Sequence, residues 1–225
     1  MENWRVTINV CEKKMLLIYS RAYKKYEIIM TDLKKKLKIL ALFGSPRKKG
    51  NTTVLANQII LGAESKGAKV ETVYLNDLSI KPCQGCYACQ VEGSKGCAVE
   101  DDMQDIYSKV AEADALIIAS PVYWFTMSAQ TKIFMDRCFA LYSENNEESR
   151  LYGKNIAIAM TYGDKDAFSS GCVNALRTFQ DSYNFVGSDI TGIVHGSAEE
   201  PGEIANNAEL MQDSQTLGKK LVYGK

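Results

Sequence analysis

The sequence predicts an α/β fold in which an open, doubly wound, five-stranded parallel sheet lies between two layers of helices. Three observations lead there. Strand-like and helix-like segments alternate five times after residue 37, the pattern of right-handed βαβ crossovers. The first strand segment, Lys38–Phe43, is apolar at consecutive positions, as a strand covered on both faces must be. The residues with unusual chemistry follow the strands, at the rim where such sheets bind ligands.

Lys38–Phe43 reads as the first buried strand, followed by a Gly/Pro-rich loop over 44–50. Asn51 and Thr52 open a helix to about Lys66, with Leu55, Ile59 and Ala63 four residues apart and Gly67 as its stop. Lys69–Leu75 is a second strand, and a cysteine-bearing segment occupies 81–99. Asp101 and Asp102 start a helix whose apolar face is Met103, Ile106, Tyr107, Val110 and Ala111; their acids suit its positive end. Ala115–Ala119 is a third strand, and Pro121 is expected to turn the chain out at the rim. A helix over Ser128–Phe139, a strand over Asn155–Thr161, a helix over Phe168–Tyr183, a strand over Val186–Val194 and a helix over Pro201–Val222 complete the pattern. Residues 1–36 form an extension without a clear period. They read as an appendage or a misassigned start, with Met30 as a second start; a basic partner-binding arm is the alternative.

Composition narrows the function. The chain has 225 residues, 46% hydrophobic and 24% charged, an ordinary globular balance. Its 27 basic and 27 acidic residues cancel, which argues against a general nucleic-acid or membrane-surface binder. The balance hides an asymmetry, because residues 1–38 carry ten Lys/Arg against four Asp/Glu. No apolar stretch reaches membrane-spanning length and no signal-peptide core is present, so a cytoplasmic protein is expected.

Two loops suit a nucleotide. Gly44–Thr53 joins a strand to a helix N-terminus, where backbone N–H groups and the helix dipole attract anions. Ser45, Asn51, Thr52 and Thr53 can donate to phosphate oxygens, and Arg47 adds charge. The spacing fits neither a Walker A loop nor a dinucleotide fingerprint, and a hydroxyl-rich loop suits a phosphate monoester. The second loop, after Ser120, presents Tyr123, Trp124 and Phe125, which suit a flat heterocycle. The loop at 161–166 falls on the same rim. A ring beside a phosphate reads as a mononucleotide.

Seven cysteines are many for a chain without a secretory signal. Cys83, Cys86, Cys89 and Cys97 are spaced C-x2-C-x2-C-x7-C. The spacing suits a [4Fe–4S] cluster better than the paired knuckles of zinc, and a redox thiol loop is the third reading. Gly85, Gly93 and Gly96 supply flexibility. Cys11, Cys138 and Cys172 read as buried small hydrophobes. His195, the single histidine, reads as structural, and Glu199, Glu200, Glu147 and Glu148 as solvated charges.

Ser45-Pro-Arg with Gly50-Asn-Thr, Pro121-Val-Tyr-Trp, Lys132 and Asp136-Arg137 together resemble the flavodoxin-like NAD(P)H-dependent FMN reductases. With four cysteines before Asp101-Asp102-Met103, the chain is specifically similar to an iron–sulfur flavoprotein over about residues 37–222. The resemblance implies a flavodoxin-like three-layer α/β/α fold. It implies that Ser45, Arg47, Asn51 and Thr52 hold the FMN phosphate. Pro121, Val122, Tyr123, Trp124, Thr161, Tyr162 and Gly163 would line the isoalloxazine. The four clustered cysteines would carry the cluster, and the protein would be a homodimer or larger. Its donor would be a ferredoxin or NAD(P)H. The chemistry belongs to the cofactors, so no catalytic acid, base or nucleophile is expected. The expected function is an FMN-dependent oxidoreductase with a [4Fe–4S] cluster. The alternatives are an NAD(P)H-dependent FMN or quinone reductase without a cluster, and a flavodoxin-like electron carrier.

Overall fold

A computed structural model describes residues 36–142 and 149–223. The expected arm or extension at the N-terminus, Cys11 and the pair Glu147-Glu148 lie outside these residues. Five parallel strands form the sheet: β1 (Lys38–Phe43), β2 (Lys69–Tyr74), β3 (Ala115–Tyr123), β5 (Asn155–Tyr162) and β6 (Asp189–Ser197), ordered β2-β1-β3-β5-β6. This is the flavodoxin-like doubly wound order. A sixth strand, the two-residue β4 (Thr126–Met127), pairs antiparallel with the end of β3. The helices are α1 (Asn51–Glu64), α2 (Met103–Glu112), α3 (Ala129–Arg137), α4 (Cys172–Phe185) and α5 (Ala208–Tyr223).

Alternation along the strands divides the core in two. Leu40, Leu42, Leu116, Ile118, Ile156 and Ile158 face α2, α3 and α4. Ile39, Ala41, Ala115, Ile117, Ala157 and Ala159 face α1 and α5. Each large aliphatic side chain so buried contributes about 1.5–3 kcal/mol. The second face is rich in alanine, so α1 and α5 lie close to the sheet and to each other. A Cβ on Gly218 would fall 1.9 Å from the Ile59 carbonyl oxygen.

The larger boundary differences from expectation lie in β3, α4, α5 and β6, the last running Asp189–Ser197 rather than Val186–Val194. β3 does not end at Ser120-Pro121 but runs to Tyr123, with Pro121 in register with Thr161 of β5. The missing proline N–H breaks no ladder bond. Ala119 is the last residue of β3 paired with β1, its carbonyl taking the Gly44 N–H at 2.7 Å, and Pro121 points the same way beyond the end of β1. α4 begins at Cys172 rather than Phe168, because Asp166 Oδ1 accepts from the N–H groups of Phe168 and Ser169 at 2.8 Å and makes a turn there. α5 begins at Ala208 rather than Pro201, after a separate 3₁₀ turn at Glu203–Asn206. No helix among the described residues is long and apolar enough to cross a membrane.

Candidate functional site

A cavity of about 360 Å³ opens at the C-terminal rim of the sheet. It is lined by Ser45, Arg47, Asn51 and Thr52 after β1, Pro121, Val122 and Tyr123 at the end of β3, and Thr161, Tyr162 and Gly163 at the end of β5. Ten of the eleven residues expected around the flavin therefore meet in one place. Trp124 is the exception. It does not line the cavity and is 92% exposed. The tight β3–β4 turn places Trp124 and Phe125 at φ of 47° and 65°, a conformation costly for bulky residues. Asn174 Nδ2 holds this turn, donating to the Phe125 carbonyl at 3.0 Å.

The loop after β1 is built before any ligand arrives. Ser45 Oγ accepts from the Arg47 N–H at 3.1 Å, and Thr53 Oγ1 donates to the Arg47 carbonyl at 3.2 Å. Gly50 stands at the N-cap of α1, so no side chain caps the helix, and no acid occupies its first turn. The first-turn N–H groups thus keep their donors for an anion. Thr52 Oγ1 and Thr161 Oγ1 lie 2.6 Å apart and are both buried. One proton serves their mutual bond, and the other hydroxyl proton can meet a ligand oxygen.

The Asn51 side chain also has a task that the sequence did not suggest. Its Nδ2 donates to the carbonyls of Ala198 at 3.3 Å and Glu200 at 2.9 Å, and its Oδ1 accepts from the Ile204 N–H at 3.3 Å. The side chain ties the segment after β6 to the rim and leaves the backbone N–H for an anion. That segment brings Ala198, Glu199 and Pro201 to the cavity wall. Glu199 is exposed as expected, but it is also a cavity residue that the sequence reading left among the solvated charges. Nothing in its local sequence marks it, because the Asn51 tether spans about 150 residues.

The support beneath the loops was also not read from sequence. Ser128 Oγ donates to the Gly44 carbonyl at 2.8 Å and accepts from the Thr131 N–H at the start of α3, while Ser120 Oγ accepts from the Ser128 N–H at 3.0 Å. His195 stands behind the cavity wall, its Nδ1 lying 3.2 Å from the Tyr162 hydroxyl. Burial pushes Tyr162 above the usual phenol range, so it stays protonated.

A second, larger cleft of about 770 Å³ is lined by all four clustered cysteines together with side chains of α3, the turn after it and the end of α4. It shares no lining residue with the rim cavity. Cys83 and Cys86 are exposed, and Cys89 and Cys97 half-buried. Gly85, Gly93, Gly96 and Tyr87 all take positive φ in this loop. Among the described residues, no three His, Cys, Asp or Glu side chains are gathered as a metal site. The donor set fits a thiolate-bound cluster in kind and number, since four thiols border one cleft on a glycine-rich loop. Burial pushes the Cys97 thiol up. Hydrogen bonds with Val99 and Tyr107 and the charge of Arg137 outweigh it and hold Cys97 below the usual thiol range.

Both ends of this loop meet at Arg137 and Asp101, an ion pair of 2.6 Å whose side chains are 0% and 2% exposed. Asp101 also accepts from the N–H groups of Lys81 at 2.8 Å and Met103 at 3.0 Å. Cys138 and Cys172 are buried, as expected, and burial pushes Cys172 up to about 11.

Residues 37–185 match the family model described as NADPH-dependent FMN reductase. An iron-sulfur flavoprotein of Methanocaldococcus jannaschii is 31% identical over 196 residues, covering 82% of this chain and 95% of the relative. An iron-sulfur flavoprotein of Archaeoglobus fulgidus is 30% identical, covering 82% of this chain and 79% of the relative. Among solved structures, the NAD(P)H:quinone oxidoreductase from Methanothermobacter marburgensis superposes with a TM-score of 0.65 at 16% identity, covering 85% of this chain and 100% of that one. At that identity the likeness is one of fold.

Proposed function

Since this chain belongs to the NADPH-dependent FMN reductase family and is a flavin-dependent oxidoreductase, we propose that it binds FMN in the rim cavity and a [4Fe–4S] cluster on Cys83, Cys86, Cys89 and Cys97. In this reading it moves electrons between a donor, a ferredoxin or NAD(P)H, and a small acceptor. The observation that supports it most is the convergence of Ser45, Arg47, Thr52, Thr161, Tyr123 and Tyr162 on one cavity beside an uncapped helix N-terminus. FMN when bound supplies hydride and electron chemistry, and a cluster supplies single-electron transfer.

The chain's own part is binding and orientation. The first-turn N–H groups of α1, the Thr52 and Thr161 hydroxyls and the Arg47 charge would neutralise a phosphate monoester. Pro121, Val122 and Tyr123 would wall the ring on one side. The Tyr162–His195 bond holds the Tyr162 ring at the cavity edge. The exposed Trp124 and Phe168 outside the cavity are in keeping with association with further copies of the chain.

Anaerobic mixing of FMN-loaded protein with NADPH, NADH or reduced ferredoxin tests the reading. Bleaching of the visible flavin band by one of them supports it, and no bleaching by any of them overturns it. A reductase without a cluster is the second reading, in keeping with the match to the NADPH-dependent FMN reductase family. Iron and sulfide content after anaerobic reconstitution separates the two.

A further inference from the structure

Arg137 ends α3 with its side chain wholly buried. A guanidinium has five N–H donors, and here each has a partner. Nε donates to the Tyr107 hydroxyl at 3.1 Å. One terminal nitrogen donates to the Lys81 carbonyl at 2.8 Å and to Asp101 Oδ2 at 2.6 Å. The other donates to Asp101 Oδ1 at 3.1 Å and to the Val99 carbonyl at 3.4 Å. Lys81 lies two residues before Cys83, and Val99 two residues after Cys97. The same guanidinium therefore grips the entry and the exit of the cysteine loop. Lys81 is held twice, since its N–H also donates to Asp101. Gln104 reinforces the exit, donating to the carbonyls of Cys97 at 3.0 Å and Val99 at 2.7 Å.

We infer that Arg137 is a positioning residue for the metal group of the cysteine loop, pinning the two ends of the loop together and neutralising the Asp101 carboxylate buried beneath them. The inference rests on the cluster reading. Its physical basis is twofold. A loop whose ends are already closed loses less chain entropy when its thiolates converge on one centre. Without the guanidinium the Asp101 carboxylate is left unpaired beside the loop, and a negative charge there disfavours the more negative, reduced state of an adjacent cluster, which lowers its potential. Lysine cannot replace it fully, because it carries the charge on three donors without the planar fork.

The test compares full-length wild type, R137K and R137M, each reconstituted anaerobically with iron and sulfide. Three quantities are read: amide exchange over 81–99 before iron is added, the rate at which a chelator strips iron, and the cluster's midpoint potential. FMN affinity serves as the control for folding. The expected result for R137M is loss of amide protection at both loop ends, stripping on the order of tenfold faster, and a more negative potential. R137K is expected to recover the potential but not the stripping rate. Equal protection, stripping and potential in all three proteins overturns the inference. If R137M fails to bind FMN, R137K against wild type decides. If wild type takes up no iron, the cluster reading fails, and unchanged amide protection in R137K then overturns the inference separately.

Discussion

Replacing Thr52 by valine tests the phosphate loop with little change of shape. Thr52 Oγ1 and Thr161 Oγ1 are 2.6 Å apart at the floor of the rim cavity, both buried. A hydrogen bond to a charged phosphate is worth about 1.5–3 kcal/mol, and each 1.4 kcal/mol is about tenfold. T52V should therefore weaken FMN by roughly ten- to 150-fold. Riboflavin carries the same ring without the phosphate, so its affinity should change by less than about threefold, since no charged hydrogen bond is lost. The apo protein should also lose about 1–3 kcal/mol, because valine leaves the Thr161 hydroxyl buried without its partner. Adding T161V should return most of that stability, as two apolar groups then face each other, while FMN stays weak. Flavin fluorescence titrations with both ligands and urea denaturation give the numbers. Equal losses for FMN and riboflavin, or none for either, would refute the assignment of this loop to a phosphate.

Four further outcomes follow from the contacts. N51A should raise amide exchange across 198–204 in flavin-free protein, because the segment loses its tether; unchanged exchange would return Asn51 to a direct phosphate role. D101N should cost about 3–5 kcal/mol in chemical denaturation by leaving a buried guanidinium without its carboxylate, and a loss under 1 kcal/mol would contradict the buried-pair reading. Burial raises the Asp101 carboxyl, but bonds from Arg137 and the Lys81 and Met103 N–H groups outweigh it and hold it below the usual carboxylate range. Its contribution is thus complete above the unfolded value of about 3.9 and lost as pH falls through the folded value; D101N should flatten the acid limb of the stability profile, and an unaltered limb would count against it. G44A should cost about 1–3 kcal/mol, since its Cβ would lie 1.9 Å from Thr131 Oγ1 and 2.8 Å from Ser128 Oγ, and T131A should relieve it in a double-mutant denaturation series. C86S should abolish iron uptake but leave FMN affinity within about twofold, because the two cavities share no lining residue; loss of both would mean that the cysteine loop builds the flavin pocket.

The sheet was legible from its three central strands: Leu40 through Phe43, Ala115 through Ala119 and Ile156 through Met160 are apolar at every position and buried on both faces, whereas β2 and β6 at the edges are mostly half-buried or exposed. The rim residues were legible because the chemistry sits beside the strand ends, and topology brings strand ends together. What failed depended on partners distant in sequence. Pro121 looked like a strand terminator, yet it continues β3 because its unpaired side faces the space beyond β1. Asn51 read as a phosphate donor, and its second task, tying the segment after β6 to the rim, could not be seen in the sequence. Trp124 looked like a ring partner, but the two-residue β4 turns it outward. Asp101 read as a helix-start acid and Arg137 as part of a motif. Neither reading contained their pairing, which joins residues 36 positions apart beneath the cysteine loop.

The central claim is that the rim cavity holds FMN while the cysteine loop carries iron. The most direct measurement is flavin, iron and sulfide content, with the visible spectrum, of full-length protein purified and reconstituted anaerobically. The account predicts about one FMN and four irons per chain. Protein that takes up neither flavin nor iron would contradict it, and one FMN without iron would leave the reductase and remove the cluster.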